Sequence, residues 1–271
     1  MLIELVNALK SIKFCPFPSG NDVKLYGNSL VSSARLLLEA GADPNATDSV
    51  EGDTALLAVR HLLRRGLFPE AAQVAELVLA GNSNPNAVNA ANRTLLSYAV
   101  ACGDAAADLT RALLNGGARV WPSPEVDPDR LSDGDAVVRA LAAERDQSAF
   151  AAFVREVVRR QSLEGFEATL DLLAHAMGEE PARMRAHVPR TMLELGKGAG
   201  VNGPLFVRLK ERLAPFWRRP QPLRYQCLKR IRRAMGPKRL NSNGRHVARL
   251  RLPPKLQRAV LLEDIAATQH I

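Results

Sequence analysis

Acids are absent from one long stretch of this 271-residue chain. Between Arg212 and Leu262 stand 15 of the 37 Lys and Arg residues and no Asp or Glu, so the other 22 basic residues face 28 acids. The formal charge of +9 therefore belongs to one terminal module, not to the whole surface. Such a run can meet nucleic acid, an acidic protein face or anionic lipid. Aromatics are also scarce, at 5%. With alanine and leucine plentiful, that scarcity favours helix over sheet. The three cysteines, Cys15, Cys102 and Cys227, are odd in number and far apart. They imply neither a disulfide framework nor a metal site, and a reducing compartment is the simpler expectation. That means the cytoplasm, with the nucleus as a second compartment. No apolar run nears the ~20 residues that cross a bilayer, so no membrane partner is expected. The opening MLIELVNALKSIKF reads as an amphipathic helix. With Glu4 inside its apolar stretch and no charged leader, it is a poor signal peptide.

Catalytic signatures are missing as well. The chain has no triad, nucleophile elbow or dinucleotide fingerprint. Gly196-Lys197-Gly198-Ala199-Gly200 follows a helical pattern instead of a strand and lacks the Ser/Thr of a phosphate cradle, so it reads as a connector. His61, His175, His187, His246 and His270 form no metal-ligand pair. Glu179-Glu180 and Asp133/Asp135 stand near helix starts, where the dipole favours acids. No catalytic residue, metal ligand or cofactor site is expected.

What the chain does contain is repetition. Leu36-Leu37-Leu38-Glu39-Ala40-Gly41-Ala42-Asp43-Pro44-Asn45 is echoed by Leu77-Val78-Leu79-Ala80-Gly81-Asn82-Ser83-Asn84-Pro85-Asn86, and again at Leu113 to Val120. Each reads as a helix end, a left-handed stop and a turn into an extended finger. Gly41, Asn82 and Gly117 occupy the stop, where glycine and then asparagine tolerate positive φ. Thr54 and Thr94 stand where a hydroxyl caps the next helix. The stops step by roughly 41 and 35 residues, near the ~33 of an ankyrin repeat. The segments resemble ankyrin repeats with a worn Thr-Pro-Leu-His motif: Ala55 and Leu95 replace its proline, Leu57 and Ser97 its histidine. The first spacing is read as stretched by a loop at Arg64 to Glu70. The usual contact surface of such a stack would draw on Asp48, Arg60, His61, Arg93 and Tyr98.

Residues 1 to 14 are expected to cap the stack, and residues 16 to 28 read as a loop before a helix at Ser29 to Ala40. Trp121-Pro122-Ser123-Pro124 and Asp127-Pro128 break the pattern as a linker or irregular finger. Helices then resume: Ser132 to Arg145, Ala149 to Arg160, one capped by Ser162 with Leu163, Phe166, Leu170, Leu173 and Met177 inward, Glu179 to Leu195, and Pro204 to Trp217.

The densest signal lies at the basic end. Leu223, Cys227 and Ile231 are four apart and share one helical face. Pro222 suits a first helical position and Gly236 a stop. Cys227 on an apolar ridge reads as a small hydrophobe facing a partner. Arg224, Lys229, Arg232 and Arg233 read as the solvated opposite face, which argues against nucleic-acid binding.

Pro222, Leu223, Cys227 and Ile231 fit the Elongin-binding pattern of the SOCS box. Leu250, Leu252 and Pro253 resemble the element that contacts a cullin, with Arg251 replacing its first proline, and Lys255 to Glu263 resemble the closing helix. The chain thus resembles the ankyrin repeat and SOCS box-containing family. The resemblance implies an all-α fold: an ankyrin-type helical solenoid followed by a small C-terminal three-helix SOCS box. The boundaries expected are 1–125 for the cap and repeats, 126–217 for a helical extension, and 218–265 for the box. It further implies a non-catalytic, substrate-recognition subunit of a ubiquitin ligase. Its partners would be Elongin C, Elongin B, a Cullin with its RING subunit, and a protein target. The rival readings are an ankyrin scaffold with no ligase role and a nucleic-acid-binding protein using its basic end.

Overall fold

In a computed structural model the described residues are 7, 20–48, 52–121, 148–197, 203–217, 223–240 and 245–263. The fold is all-α, and no strand occurs among those residues. The expected cap at 1 to 14 (Asn7 apart), the helix at Ser132 to Arg145, and Pro222 lie outside them.

The helices form two rows. The first holds α1 (Gly20–Glu39), α4 (Phe68–Ala80), α6 (Ala107–Asn115), α8 (Glu167–Gly178) and α10 (Gly203–Trp217), each packed on the next. The second holds the short α2 (Ala55–Ala58) and α3 (Arg60–Arg64), then α5 (Leu95–Ala101), α7 (Ala149–Arg160) and α9 (Pro181–Lys197), likewise stacked. A single apolar core runs through both rows, from Leu30 to Phe216. Each pair buries its apolar face against its neighbours in the two rows.

The turns repeat as the sequence suggested. Gly41, Asn82 and Gly117 all have positive φ. At each, two backbone N–H groups reach back to helix-end carbonyls: Gly41 and Ala42 to Leu38 and Leu37, Asn82 and Ser83 to Leu79 and Val78, Gly117 and Ala118 to Leu114 and Leu113. Such bonds satisfy carbonyls that a helix end leaves open. Thr54 and Thr94 each accept an N–H bond at 3.3 Å, from Leu57 and Ser97.

A second periodic feature links successive turns. The Asn45 side chain accepts from Asn84 N at 2.7 Å and donates to Asn82 O at 3.3 Å. One turn later Asn86 accepts from Arg119 N at 2.8 Å and donates to Gly117 O at 3.2 Å. Each amide therefore clamps the backbone of the following turn. Both are the residue after a proline in an Asx-Pro-Asn triplet, whose first side chain accepts from the asparagine N–H.

Four local expectations need correction. The stretch read as a loop before Ser29 is helical from Gly20. Its Gly27 is a packing residue, because a Cβ there would meet Glu70 Cγ at 2.8 Å. The supposed loop at Arg64 to Glu70 is only a short turn, since Phe68 already begins α4. Ser162 caps a turn by accepting from Glu164 N, whereas α8 starts at Glu167. Asp104, in a 3-10 turn (Gly103–Ala106), supplies that helix's cap from afar by accepting from Thr169 N at 2.8 Å. A carboxylate suits a helix N-terminus. Finally, Trp121 does not leave the stack: it is buried and lies against the His187 ring.

Candidate docking site

The basic end folds as α11 (Leu223–Leu240), α12 (Arg245–Ala248) and α13 (Pro254–Val260). Gly236 breaks α11 at φ 70°, ψ 168° before Pro237, close to where a stop was expected. Leu228, Leu240, Val247, Ala259 and Val260 make a small core. The closing helix is a little shorter than Lys255 to Glu263, beginning at Pro254 and ending at Val260.

The ridge on α11 runs from solvent toward that core. Leu223 is 75% exposed, the highest value among the large exposed hydrophobics. Cys227 is a free, exposed thiol. Ile231 is half-buried and packs on the small core. Leu250 and Leu252 pack on the same core, and their carbonyls accept from Gln257 Nε2 at 3.1 and 3.0 Å. Arg251 and Pro253 are exposed.

The opposite side of α11 is only in part a solvated basic face: Arg233 is exposed, and the Arg224 side chain lies outside the described residues. Arg232 is only 9% exposed. Its guanidinium donates to Asn115 Oδ1 on α6 and to Val260 O on α13, and approaches Glu179 Oε1 at 3.4 Å. Lys229 donates to Gly178 O and Arg233 to Glu179 O, at the C-terminal end of α8. Cations there meet the negative end of the helix dipole. Burial, then the neighbouring Arg233, lowers the Lys229 pKa. Part of the basic run thus fastens the terminal unit to the stack. Helical spacing places these residues opposite the ridge but carries no mark of a second surface arriving from another element.

More bonds cross the same seam. Arg111 Nε donates to Leu262 O and Asn115 Nδ2 to Leu261 O, both at 3.1 Å, while the Leu262 side chain enters the main core. Beside it, α4, α6 and the terminal unit enclose a cleft of about 330 Å³ with Glu76, Asp108, Arg111 and Glu263 on its walls. Burial and then Asp108 raise the Glu76 pKa. His175 lies nearby against the Phe216 ring. Its Nδ1 donates to Asp171 O at 3.0 Å, and burial holds its pKa down at about 4.

The side chains proposed for the stack's contact surface fare differently. Asp48, Arg60 and His61 are buried, and Arg60 pairs with the buried Asp53 beneath α2. Arg93 is exposed; Tyr98 is half-buried and accepts from Asn89 Nδ2 at 2.9 Å. On α7, Glu156 bridges Arg159 and Arg160, and the Arg159 bond leads in holding its pKa down at about 2.

No protein-family model matches the chain, and no curated protein is similar to it.

Proposed function

We propose that this protein is the substrate-recognition subunit of an Elongin B/C–Cullin ubiquitin ligase. In this reading the repeat stack, of ankyrin type, holds a target and the C-terminal unit, a SOCS box, holds Elongin C. The observation that carries it is the outward ridge of α11: a leucine in solvent and a free thiol one turn later, both pointing away from the chain's own cores. The leucine and the small thiol one turn on form a short apolar strip of the kind that a groove in a partner takes up from an amphipathic helix. The periodic asparagine clamps support the repeat half of the reading.

The roles follow from size and exposure. Leu223 is the anchor for an apolar pocket, Cys227 the small neighbour that a bulkier residue would turn into a clash, and Ile231 the link to the unit's own core. Leu250, Leu252 and Pro253 are assigned to the cullin, with Pro253 as the exposed contact and the leucines setting its position. The chain has no catalytic residue in this mechanism. It raises the effective concentration of target lysines near the ubiquitin thioester carried by the ligase.

A scaffold without ligase activity remains a second reading, favoured by the bonds from Lys229, Arg232 and Arg233 to α6 and α8, which let α11 serve as a cap. Pull-down with purified Elongin B/C separates the two. Anchors of this kind cost ~2 kcal/mol or more on truncation, so Leu223→Ala should weaken capture about twentyfold to thirtyfold. Leu223→Ala with Cys227→Phe should abolish it at an unchanged melting temperature. Undiminished capture by the double variant sinks the ligase reading.

A further inference from the structure

We infer that the C-terminal unit is shaped for an acidic protein surface: an apolar pocket that takes Leu223, rimmed by carboxylates. The inference rests on the ligase reading and adds the chemistry of the partner's rim. It starts from an asymmetry in how the arginines are matched. On the stack six arginines have a carboxylate close by: Arg60 with Asp53, Arg111 with Asp108, Arg159 and Arg160 with Glu156, Arg183 with Glu180, Arg212 with Asp171. The terminal unit has no acid of its own before Glu263. Lys229, Arg232 and Arg233 turn to the stack. Arg230, Arg245, Arg249, Arg251 and Lys255 are exposed, and the sequence around them holds no acid before Glu263.

One of them lies on the ridge itself, and the others lie on or between the two short elements packed on α11. Arg230 lies on the same exposed strip as Leu223 and Cys227, three residues further along α11. Arg245 opens α12 and Arg249 follows its last residue, and Arg251 and Lys255 flank the exposed Pro253. A leucine with a small thiol beside it, on a unit whose charges up to Leu262 are all positive, is complementary to a greasy pocket with an acidic rim. Phosphate backbones fit worse. They have nothing to bury Leu223, and Tyr225 is the unit's one Phe, Tyr or Trp, where single-strand binders stack several bases.

The two parts should act on different rate constants. Rim charges steer encounter over a distance that salt shortens, whereas the buried anchor sets the dwell time. The test uses the full chain and purified Elongin B/C in stopped-flow mixing. Between about 20 and about 300 mM NaCl the association rate should fall by about tenfold or more, with dissociation changing far less. Arg245→Glu with Arg249→Glu and Lys255→Glu should slow association similarly at low salt and leave dissociation nearly untouched. Leu223→Ala should do the reverse. If the triple variant melts early, the salt series on the wild type decides alone. Binding that ignores both salt and the triple substitution overturns the acidic rim while leaving the ligase reading intact. No binding in any form overturns both. If instead a single-stranded RNA of about 20 nucleotides binds, is lost in the triple variant and is indifferent to Leu223→Ala, the surface belongs to nucleic acid and the inference fails.

Discussion

His175 shows how one side chain registers its surroundings. Its Nδ1 donates to a carbonyl of its own helix, which fixes the neutral tautomer, and Phe216 covers the ring. Burial leads in lowering its pKa from 6.5 to about 4. The native state therefore keeps it neutral where the unfolded chain takes up a proton. Stability contributed by the neutral ring is full above pH 6.5, falls as pH drops toward 4 and stops falling below that. The loss can reach about 3 kcal/mol, at ~1.4 kcal/mol for each unit of difference. Urea unfolding of wild type and His175→Gln at neutral pH and near the lower end of that window reads this directly. The variant starts less stable and should lose less on acidification; parallel losses would refute the assignment. Glu156 falls in the same direction at lower pH, since its carboxylate must be protonated below 4.5, but it is common to both proteins and cancels in the comparison.

At the scale of the element, the turns are the most regular part of the molecule. Asn45 and Asn86 each make two bonds to the following turn, so each replacement by alanine removes two interactions and leaves an N–H and a carbonyl to find water. A net hydrogen bond contributes ~1 kcal/mol, and these turns are partly wetted, so each variant should lose about 1–2 kcal/mol. Asn45→Ala should act on the α1–α4 junction and Asn86→Ala on the α4–α6 junction. Hydrogen exchange should therefore localise the two losses differently; identical exchange maps would show that the clamps do not act turn by turn. The stops and caps of these turns were legible because they need particular residue types at fixed local offsets: positive φ selects glycine or asparagine, and an N-cap selects threonine. The asparagine clamps were not, because their partners lie more than 30 residues away. The same holds for Asp104 capping α8, and for Gly27, which composition alone assigned to a loop and which close contact with Glu70 explains. Leu223 and Cys227 were legible as one outward face by their four-residue spacing. The inward burial of Arg60, His61 and Arg232 was not, since nothing local marks an arginine whose carboxylate or carbonyl comes from another element.

For the molecule as a whole, the question is whether the terminal unit rides on the stack or is built into it. Four features argue for the second. Leu262 belongs to the main core, not the small one. Arg111 and Asn115 on α6 donate to carbonyls of the last turn. Lys229 and Arg233 close the end of α8. Arg232 joins α6, α8 and α13 at one buried point. A unit so fastened should unfold with its stack in one transition, not ahead of it. Arg232→Ala tests this, because it leaves Asn115 Oδ1 and Val260 O buried without their charged donor. Each neutral acceptor left unsatisfied costs about 1–3 kcal/mol. The wild type should show coincident transitions by near-UV absorbance of the stack's Trp121 environment and by exchange of the α11 amides. In the variant α11 and α13 should exchange early while α4 and α6 keep their protection, and capture of Elongin B/C should persist because Leu223 still faces out. If α11 of the wild type already exchanges well ahead of α6, the unit is tethered, not built in. The distance from the repeat surface to the docking ridge would then vary in solution. A ligase subunit that delivers lysines by proximity needs that distance held, so the exchange order bears on mechanism as directly as on stability.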